Sequence, residues 1–408
     1  MAEPKNDYIQ VSAPAVARAA DGGATVSVSF RWRGEERRLW FSVEAPYADS
    51  LTPERSDGFL VALLSWAMHV GANLRFTAPV SRKLFFAVTR FLLPTLHVSH
   101  PWDQLVRLDA PLADAPVPTA GACGTGLSCG VDSLATVAEF YADASAPPPP
   151  FRLTHLTFFN AGAHGYGPRF PPETAARICE ERLAHSRACA AELGLPLVYV
   201  NSNLTEYIDF APHPHLVTLC NCAVPLVLQR LFGVYYVASS VAVADFKMDP
   251  IVEYFDPVVL ALLCTDSLSF YSSGMTLTRV EKTRLISEMP LARNYLNVCV
   301  AAARNCSRCH KCLRTMMTLD IFGKLPEFRR VFDVDRYLSD KNRIWAKMKG
   351  LRYHEPLMNE LWDAQAQHHF RLSPGFWPRY LYYRIFGAPR RALLDAKKRL
   401  FGKTRNVI

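Results

Sequence analysis

One short segment combines residue types that bind phosphate. It runs Ser128, Cys129, Gly130, Val131, Asp132 and Ser133, follows a glycine-rich stretch, and is predicted to open into a helix at Val131. Such a turn exposes backbone N–H groups at a helix N-terminus, where the helix dipole favours an anion. Ser128 and Ser133 can add hydroxyl donors, and Asp132 can hold Mg²⁺ or orient the loop. An ordinary capped helix start is the alternative, because Asp and Ser favour that position in any protein.

A second group of residues has the spacing of a metal site. Its members are Cys299, Cys306, Cys309 and Cys312. Four closely spaced thiols can complete a tetrahedral site without a histidine or carboxylate, which favours zinc in a structural role. A [4Fe–4S] cluster is the alternative. Apart from Cys129, the other cysteines lack such spacing and are predicted to be small buried hydrophobic residues.

From residue 121 onward, the helices and strands that position the phosphate-binding segment and the four cysteines follow an α/β pattern. Strands alternate with helices there, which is typical of a parallel sheet with crossover helices. The predicted order is a helix from 131, a strand at 153–160, a helix at 173–193, a strand at 197–200, a helix at 215–232 and a strand at 234–237.

The residues before this pattern are predicted to form a separate small α/β module. Alternating apolar and polar residues at 24–43 predict a β-hairpin, 57–73 and 80–97 read as helices, and 105–108 as a strand before a Pro/Ala-rich linker. We therefore predict an N-terminal module at 1–118, a central domain at 119–335 that includes the cysteine knot at 299–312, and a helical, basic extension at 336–408.

The phosphate-binding segment resembles a known family signature. It is similar to the Ser-Gly-Gly-x-Asp-Ser motif of PP-loop (N-type) ATP pyrophosphatases, with four of the five fixed positions matching. Over about 121–325, the resemblance implies a HUP/Rossmann-like sheet with ATP across the carboxyl ends of its strands. It also implies catalytic roles for Ser128, Asp132, Ser133 and Lys282, and nucleotide binding by the whole hexapeptide with Asn160, Ser239 and Lys282. A solvated helix face is the alternative for Lys282.

Cys129 departs from the family, which has glycine at that position. A Cβ there would crowd the phosphates if the residue takes a positive φ. Three interpretations stay open: a tolerated substitution, a degenerate ATP site, and a reactive thiol whose pKa is lowered by the helix N-terminus.

A four-cysteine knot after such a loop resembles the 7-cyano-7-deazaguanine synthase family. That resemblance implies structural zinc and an ATP-dependent ligase that converts a carboxylate to an acyl adenylate, which ammonia then attacks. The expected cofactors are ATP, Mg²⁺ and Zn²⁺. The substrate is less firmly implied, since the purine-recognition residues are not identifiable. The alternatives are a tRNA-modifying PP-loop enzyme and a non-catalytic nucleotide- or zinc-binding protein.

The charge of the chain is concentrated at its C-terminal end. The net charge is +9, and residues 371–408 hold ten Lys/Arg against Asp395 alone. Aromatic residues lie among these arginines, which predicts docking on an anionic membrane or on RNA, with a packed helical extension as the alternative. The first residues lack a secretory pattern and the longest apolar run, 59–67, is too short to cross a bilayer. We therefore expect a cytoplasmic enzyme that binds peripherally to the inner face of the membrane.

Overall fold

The computed structural model of the chain describes residues 8–141, 147–162, 170–350 and 356–387. The chain forms two compact units. The first comprises Met1–Ser128 and Ala135–Thr276, and the second comprises Cys129–Leu134 and Leu277–Ile408. The predicted boundaries at 118 and 335 differ from this division.

The first unit contains all the strands of the described residues and seven α-helices. The strands are β1 (Tyr8–Val11), β2 (Ala15–Arg18), β3 (Ala24–Trp32), β4 (Glu35–Val43), β5 (Asn73–Phe76), β6 (Val80–Ser81), β7 (Leu108–Asp109), β8 (Leu112–Ala113), β9 (Ala122–Gly126), β10 (His155–Asn160), β11 (Leu197–Ser202), β12 (Phe232–Ala238) and β13 (Ser269–Ser273). The helices are α1 (Asp57–Val70), α2 (Arg82–Ala87), α3 (Leu93–Ser99), α4 (Val131–Phe140), whose first turn belongs to the second unit, α5 (Pro172–Leu193), α6 (Val217–Val227) and α7 (Asp256–Leu262).

The main sheet has eight strands in the order β13-β12-β9-β10-β11-β4-β3-β2. The five strands from β13 to β11 are parallel, and the remaining three are antiparallel to their neighbours. Two smaller parallel sheets, β1-β5-β7 and β6-β8, accompany it. This mixed α/β architecture confirms the predicted fold class at that level.

The N-terminal hairpin is confirmed, but it is not a separate module. Strands β3 and β4 turn at Arg33 and Gly34, which both have positive φ. Strand β4 then pairs antiparallel with β11, with Val43 opposite Val200. Its inward residue Phe41 is buried against Phe59 of α1, 5.6 Å between ring centroids. The hairpin therefore extends the main sheet and shares its core.

The predicted helix at 80–97 is observed as a continuous helical stretch over 82–99, with a π-helical turn in its middle. Strand β6 takes its first two residues, and a π-helical turn at Val88–Leu92 separates α2 from α3. Pro94 follows the π-helical turn and has no N–H to donate within the continuing helix. The predicted strand at 105–108 is reduced to β7.

The second unit is helical in its described residues. Its helices are α8 (Arg279–Ser287), α9 (Pro290–Tyr295), α10 (His310–Ile321), α11 (Val334–Gly350), α12 (Pro356–Gln367) and α13 (Phe376–Tyr382), which continues as a π-helical turn at Tyr383–Gly387. Helices α8 and α12 pack on α10, and α13 packs on α11. Within the predicted extension at 336–408, helices α11, α12 and α13 with the π-helical turn are present and 368–375 is not helical. Residues 388–408 lie outside the described residues. Within the described ranges, no helix is long and apolar enough to cross a membrane.

Candidate functional site

The first unit places three of the predicted residues at one edge of its sheet. Asn160 ends β10, and its side-chain N–H donates to Asn201 Oδ1 at 2.7 Å. Ser239 follows β12, is buried, and donates its hydroxyl to the Val241 carbonyl at 2.6 Å. Ser128 lies just beyond β9 and is exposed. Because β9 separates β10 from β12, Asn160 and Ser239 flank it about 10 Å apart.

The rest of the hexapeptide forms the start of α4 in the second unit. The N–H of Leu134 donates to the Gly130 carbonyl at 3.0 Å, and the Ser133 hydroxyl donates to the same oxygen at 3.2 Å. Cys129 is fully buried and has φ 57°, the left-handed region that glycine occupies without strain. Cys129 therefore has the positive φ at which a Cβ would crowd a bound phosphate.

Two cations of α8 meet the carboxylate of Asp132. Thr278 caps α8 in a capping box with Glu281, which sets Arg279 and Lys282 in the first turn. Arg279 Nη2 lies 2.9 Å from Asp132 Oδ2, and Lys282 Nζ lies 3.7 Å from Asp132 Oδ1. The sequence identified Asp132 and Lys282 as site residues, and the fold brings them together.

Lys282 is an unusually buried lysine, only 1% exposed. Burial lowers its pKa below the ordinary value, Arg279 lowers the pKa further, and the Asp132 carboxylate opposes the shift. Buried lysines are rare unless paired. The solvated-face interpretation of Lys282 therefore does not describe this structure.

Helix α12 supports the same cluster, which sequence analysis did not foresee. The backbone N–H of Arg279 donates to Glu360 Oε2 at 2.7 Å. Glu360 therefore contributes a second carboxylate near Arg279 and Lys282. The cluster has two cations and two carboxylates, all in the second unit.

Two asparagines connect the start of α4 to the cysteine segment. The N–H of Asn297 donates to the Cys129 carbonyl at 2.8 Å, and its side chain donates to the Ala303 carbonyl at 2.7 Å. Asn305 accepts from the Val298 N–H at 2.8 Å and donates to the Leu296 carbonyl at 2.7 Å. The loop and the cysteine segment therefore share one hydrogen-bond network.

The four predicted cysteine ligands come together. The sulfurs of Cys299, Cys306, Cys309 and Cys312 all lie within 4.8 Å of one another. The N–H of Ala301 donates to Cys299 Sγ at 3.4 Å and that of Cys309 donates to Cys306 Sγ at 3.3 Å. Thiol hydrogen bonds from Cys299 and Cys312 lower the pKa of Cys309, and the same cluster raises the pKa of Cys312.

This cysteine cluster can hold a single metal ion. Four sulfurs bound tetrahedrally at about 2.3 Å from one ion would lie about 3.8 Å apart, and Cys309 Sγ lies 3.5 Å from Cys312 Sγ. Backbone N–H donors to the sulfurs of Cys299 and Cys306 fix their orientation. Four sulfurs at these distances suit a shared metal cation.

Comparisons of the chain with protein-family models, curated proteins and solved structures found no match. The sequence signals that point to the site are therefore the hexapeptide, Lys282 and the cysteine spacing. Arg279 and Glu360 were not singled out as site residues. The Thr278-to-Glu281 capping box could have indicated Arg279, since it fixes which residues occupy the first turn of α8.

Proposed function

We propose that the protein is an ATP-consuming ligase of the PP-loop type, which activates a carboxylate as an acyl adenylate. The observation that carries the proposal is the hexapeptide between β9 and α4, with Arg279 and Lys282 clustered on its Asp132. Strand β9 is the first of five parallel strands whose order, counted along the chain, is 3-2-1-4-5. This is the order of HUP/Rossmann-like nucleotide-binding sheets, in which the ligand lies where the strand order reverses.

In this reaction a substrate carboxylate oxygen attacks the α-phosphorus of ATP. The bond from the α-phosphorus to the bridging oxygen breaks, and pyrophosphate leaves with the electron pair. Ammonia or an amine then attacks the acyl carbon, the nitrogen loses a proton to solvent, AMP leaves with the electron pair of its bond to carbon, and an amide forms. The chain supplies position and charge: N–H groups at the start of α4 and the cations Arg279 and Lys282 favour the departing pyrophosphate.

Asp132 fits an orienting role in this scheme. Both its oxygens face cations, so a Mg²⁺ ion on the same carboxylate would lie beside Arg279 and Lys282. That arrangement does not suit a Mg²⁺ ligand, and no step here depends on one. Asp132 instead holds the two cations at the N-terminus of α4, where an arriving phosphate can compete for them.

The cysteine cluster supports a structural zinc ion in the proposed enzyme. In a [4Fe–4S] cluster each cysteine binds a different iron, which spreads the sulfurs, whereas here they all lie within 4.8 Å. Zinc bound by four cysteines has no open position, so it would stabilise the fold and take no part in the reaction. Metal analysis of the purified chain should give one zinc per chain; iron with acid-labile sulfide would contradict this.

The reaction class is tested by the products of ATP cleavage. The protein is incubated with ATP, a panel of carboxylates and hydroxylamine, which traps acyl adenylates as hydroxamates. We expect AMP, pyrophosphate and a hydroxamate, and we expect Asp132→Asn to abolish all three while the protein stays folded. ADP and phosphate as products, or ATP cleavage unchanged in Asp132→Asn, would overturn the proposal.

A further inference from the structure

The C-terminal helix of the second unit exposes apolar residues on its outer side. Phe376 anchors α13 against the unit and is only 2% exposed. Five large residues of α13 and the following π-helical turn are exposed instead, with Trp377 at 64% and Phe386 at 61%. We call this set the apolar stripe: Trp377, Leu381, Tyr382, Ile385 and Phe386. Its spacing repeats every four or five residues, so the stripe forms one continuous face.

A positively charged cavity lies next to the apolar stripe. Its volume is about 310 Å³, at the lower end of ligand-pocket sizes. We call it the basic cavity, and the side chains that matter here are Arg308, Arg336, Arg343, Lys347, Asp340 and Tyr383. Four cations thus face one carboxylate, and Tyr383 belongs to the same helical turn as Ile385 and Phe386.

We propose that the apolar stripe and the basic cavity together form a docking surface for an anionic lipid bilayer. The stripe would enter the boundary between headgroups and acyl chains, and the cavity would take the phosphate of a lipid headgroup. Arg379 and Arg384, both exposed, border the stripe and would lie at the level of the phosphates. Apolar burial and charge attraction add in this arrangement, which is the combination that stable peripheral binding requires.

The composition of the stripe favours a bilayer over other occupants. Leu381 and Ile385 cannot stack on bases, so they have no function on a single-stranded RNA, whereas a bilayer buries them with Trp377 and Tyr382. A second copy of the chain would bring the same cations face to face. The sequence after Gly387 adds seven Lys/Arg against Asp395, which increases the attraction to an anionic surface.

Vesicle sedimentation with the full-length protein tests this surface. The vesicles are phosphatidylcholine alone, or an equal mixture of phosphatidylcholine and phosphatidylglycerol. We expect binding to the mixed vesicles only, weakening as salt rises. The variant Leu381→Ser/Ile385→Ser/Phe386→Ser should lose binding at least about tenfold. The variant Arg308→Gln/Lys347→Gln should lose about fivefold for each cation removed.

The matched control removes exposed apolar residues elsewhere. Phe86 and Phe91 form an exposed aromatic pair in the first unit, and Phe86→Ser/Phe91→Ser should bind vesicles like the wild type. Brominated lipids provide a second measurement, because they should quench part of the tryptophan fluorescence in the wild type and less in Trp377→Phe.

Several results would overturn the proposal. One is an equal loss of vesicle binding in the Phe86/Phe91 control. Another is a melting temperature lowered by the stripe substitutions, which would show that the rest of the chain covers the stripe. Binding of single-stranded RNA that depends on the stripe, without vesicle binding, would identify RNA as the partner. Binding of glycerol phosphate in the cavity, without vesicle binding, would identify a free phosphate ester instead.

Discussion

At the scale of single residues, the pairing of buried Lys282 with half-buried Asp132 suggests how the proposed enzyme holds cations ready for phosphate. A buried lysine is costly unless a carboxylate compensates it. Asp132 provides that compensation, and Arg279 shares the same carboxylate. In the proposed reaction the cations would already have their positions, so little reorganisation would be needed when charge develops on the leaving pyrophosphate.

Replacing Lys282 with Met tests this role. Met has a similar length and leaves Arg279 to pair with Asp132, so the fold should persist. We expect kcat for ATP cleavage to fall on the order of 10²–10³-fold, the size seen when one preorganised group is removed. Steady-state kinetics and a thermal melt measure the two effects separately.

Lys324 provides the matched control for this substitution. It forms an ion pair with Glu288 at 2.9 Å in the same unit but is not part of the cluster around Asp132. Lys324→Met should leave kcat within about twofold, since such pairs contribute little. Full activity in Lys282→Met would remove Lys282 from the site.

The left-handed backbone of Cys129 leads to a second prediction. Changing it to Gly relieves about 1–2 kcal/mol of backbone strain and loses about 1 kcal/mol of side-chain burial. We therefore expect Cys129→Gly to leave the free energy of unfolding nearly unchanged and ATP turnover equal or higher. Cys129→Val, which puts a β-branched side chain at positive φ, should lose at least about 2 kcal/mol.

Cys123 is the control for Cys129→Val, and the Gly variant separates the three interpretations of the thiol. Cys123 is equally buried but lies in β9, where Val is favoured, so Cys123→Val should be tolerated better.

Turnover that appears only in Cys129→Gly would indicate a degenerate site in the natural chain. Turnover lost in Cys129→Gly would contradict our prediction and indicate a reactive thiol.

At the scale of elements, local sequence patterns predicted the positions of helices and strands but not how distant strands pair. Helix α5 and strands β10, β11 and β12 lie close to their predicted positions, because apolar periodicity and a terminal glycine are local signals. The pairing of β4 with β11 joins residues more than 150 positions apart and leaves no comparable mark in the sequence. Asp132 and Lys282 are a similar case: the sequence indicated both as site residues, but it did not predict that they contact each other.

Helix α7 starts with a buried carboxyl that should make stability depend on pH. The pKa of Asp256 is raised to about 7, mainly by burial and also by Glu253, against the lowering effect of a hydrogen bond from the Thr218 hydroxyl. The folded state therefore holds its proton more tightly than the unfolded state does. The resulting stabilisation is complete below pH 3.8 and is lost as the pH rises through about 7.

Asp256→Asn tests this assignment because Asn keeps the acceptor for Thr218 without a titrating proton. Relative to the variant, the wild type should lose about 2–3 kcal/mol of unfolding free energy between pH 5 and pH 8. Urea denaturation at the two pH values measures the difference. Asp266→Asn, at an exposed carboxyl of the same unit, should follow the wild type. Parallel curves for wild type and Asp256→Asn would contradict the prediction.

At the scale of the whole molecule, the chain changes unit within the hexapeptide. Ser128 belongs to the first unit and Cys129–Leu134 to the second. Within the second unit, Asn297 binds the Cys129 carbonyl, and Asn305 binds the backbone on both sides of Asn297. Cys312 Sγ in turn lies 3.8 Å from Asn305 Oδ1. These contacts link the cysteine cluster to the start of α4, and the sequence showed only two separate motifs.

This network predicts what metal removal does to the molecule. Without a cation, the four sulfurs lose the metal bonds that would hold them together, so the cysteine segment should loosen and release Asn305 and Asn297. Hydrogen exchange after treatment with a zinc chelator should therefore speed up first in residues 296–321 and 129–134. Strands β9 and β12, in the first unit, should keep their protection. Cys309→Ser should reproduce the effect without chelator, whereas Cys264→Ser, at a cysteine of the first unit, should not. Equal loss of protection in β9 and in 129–134 would show that the cluster supports the whole chain and not the loop in particular.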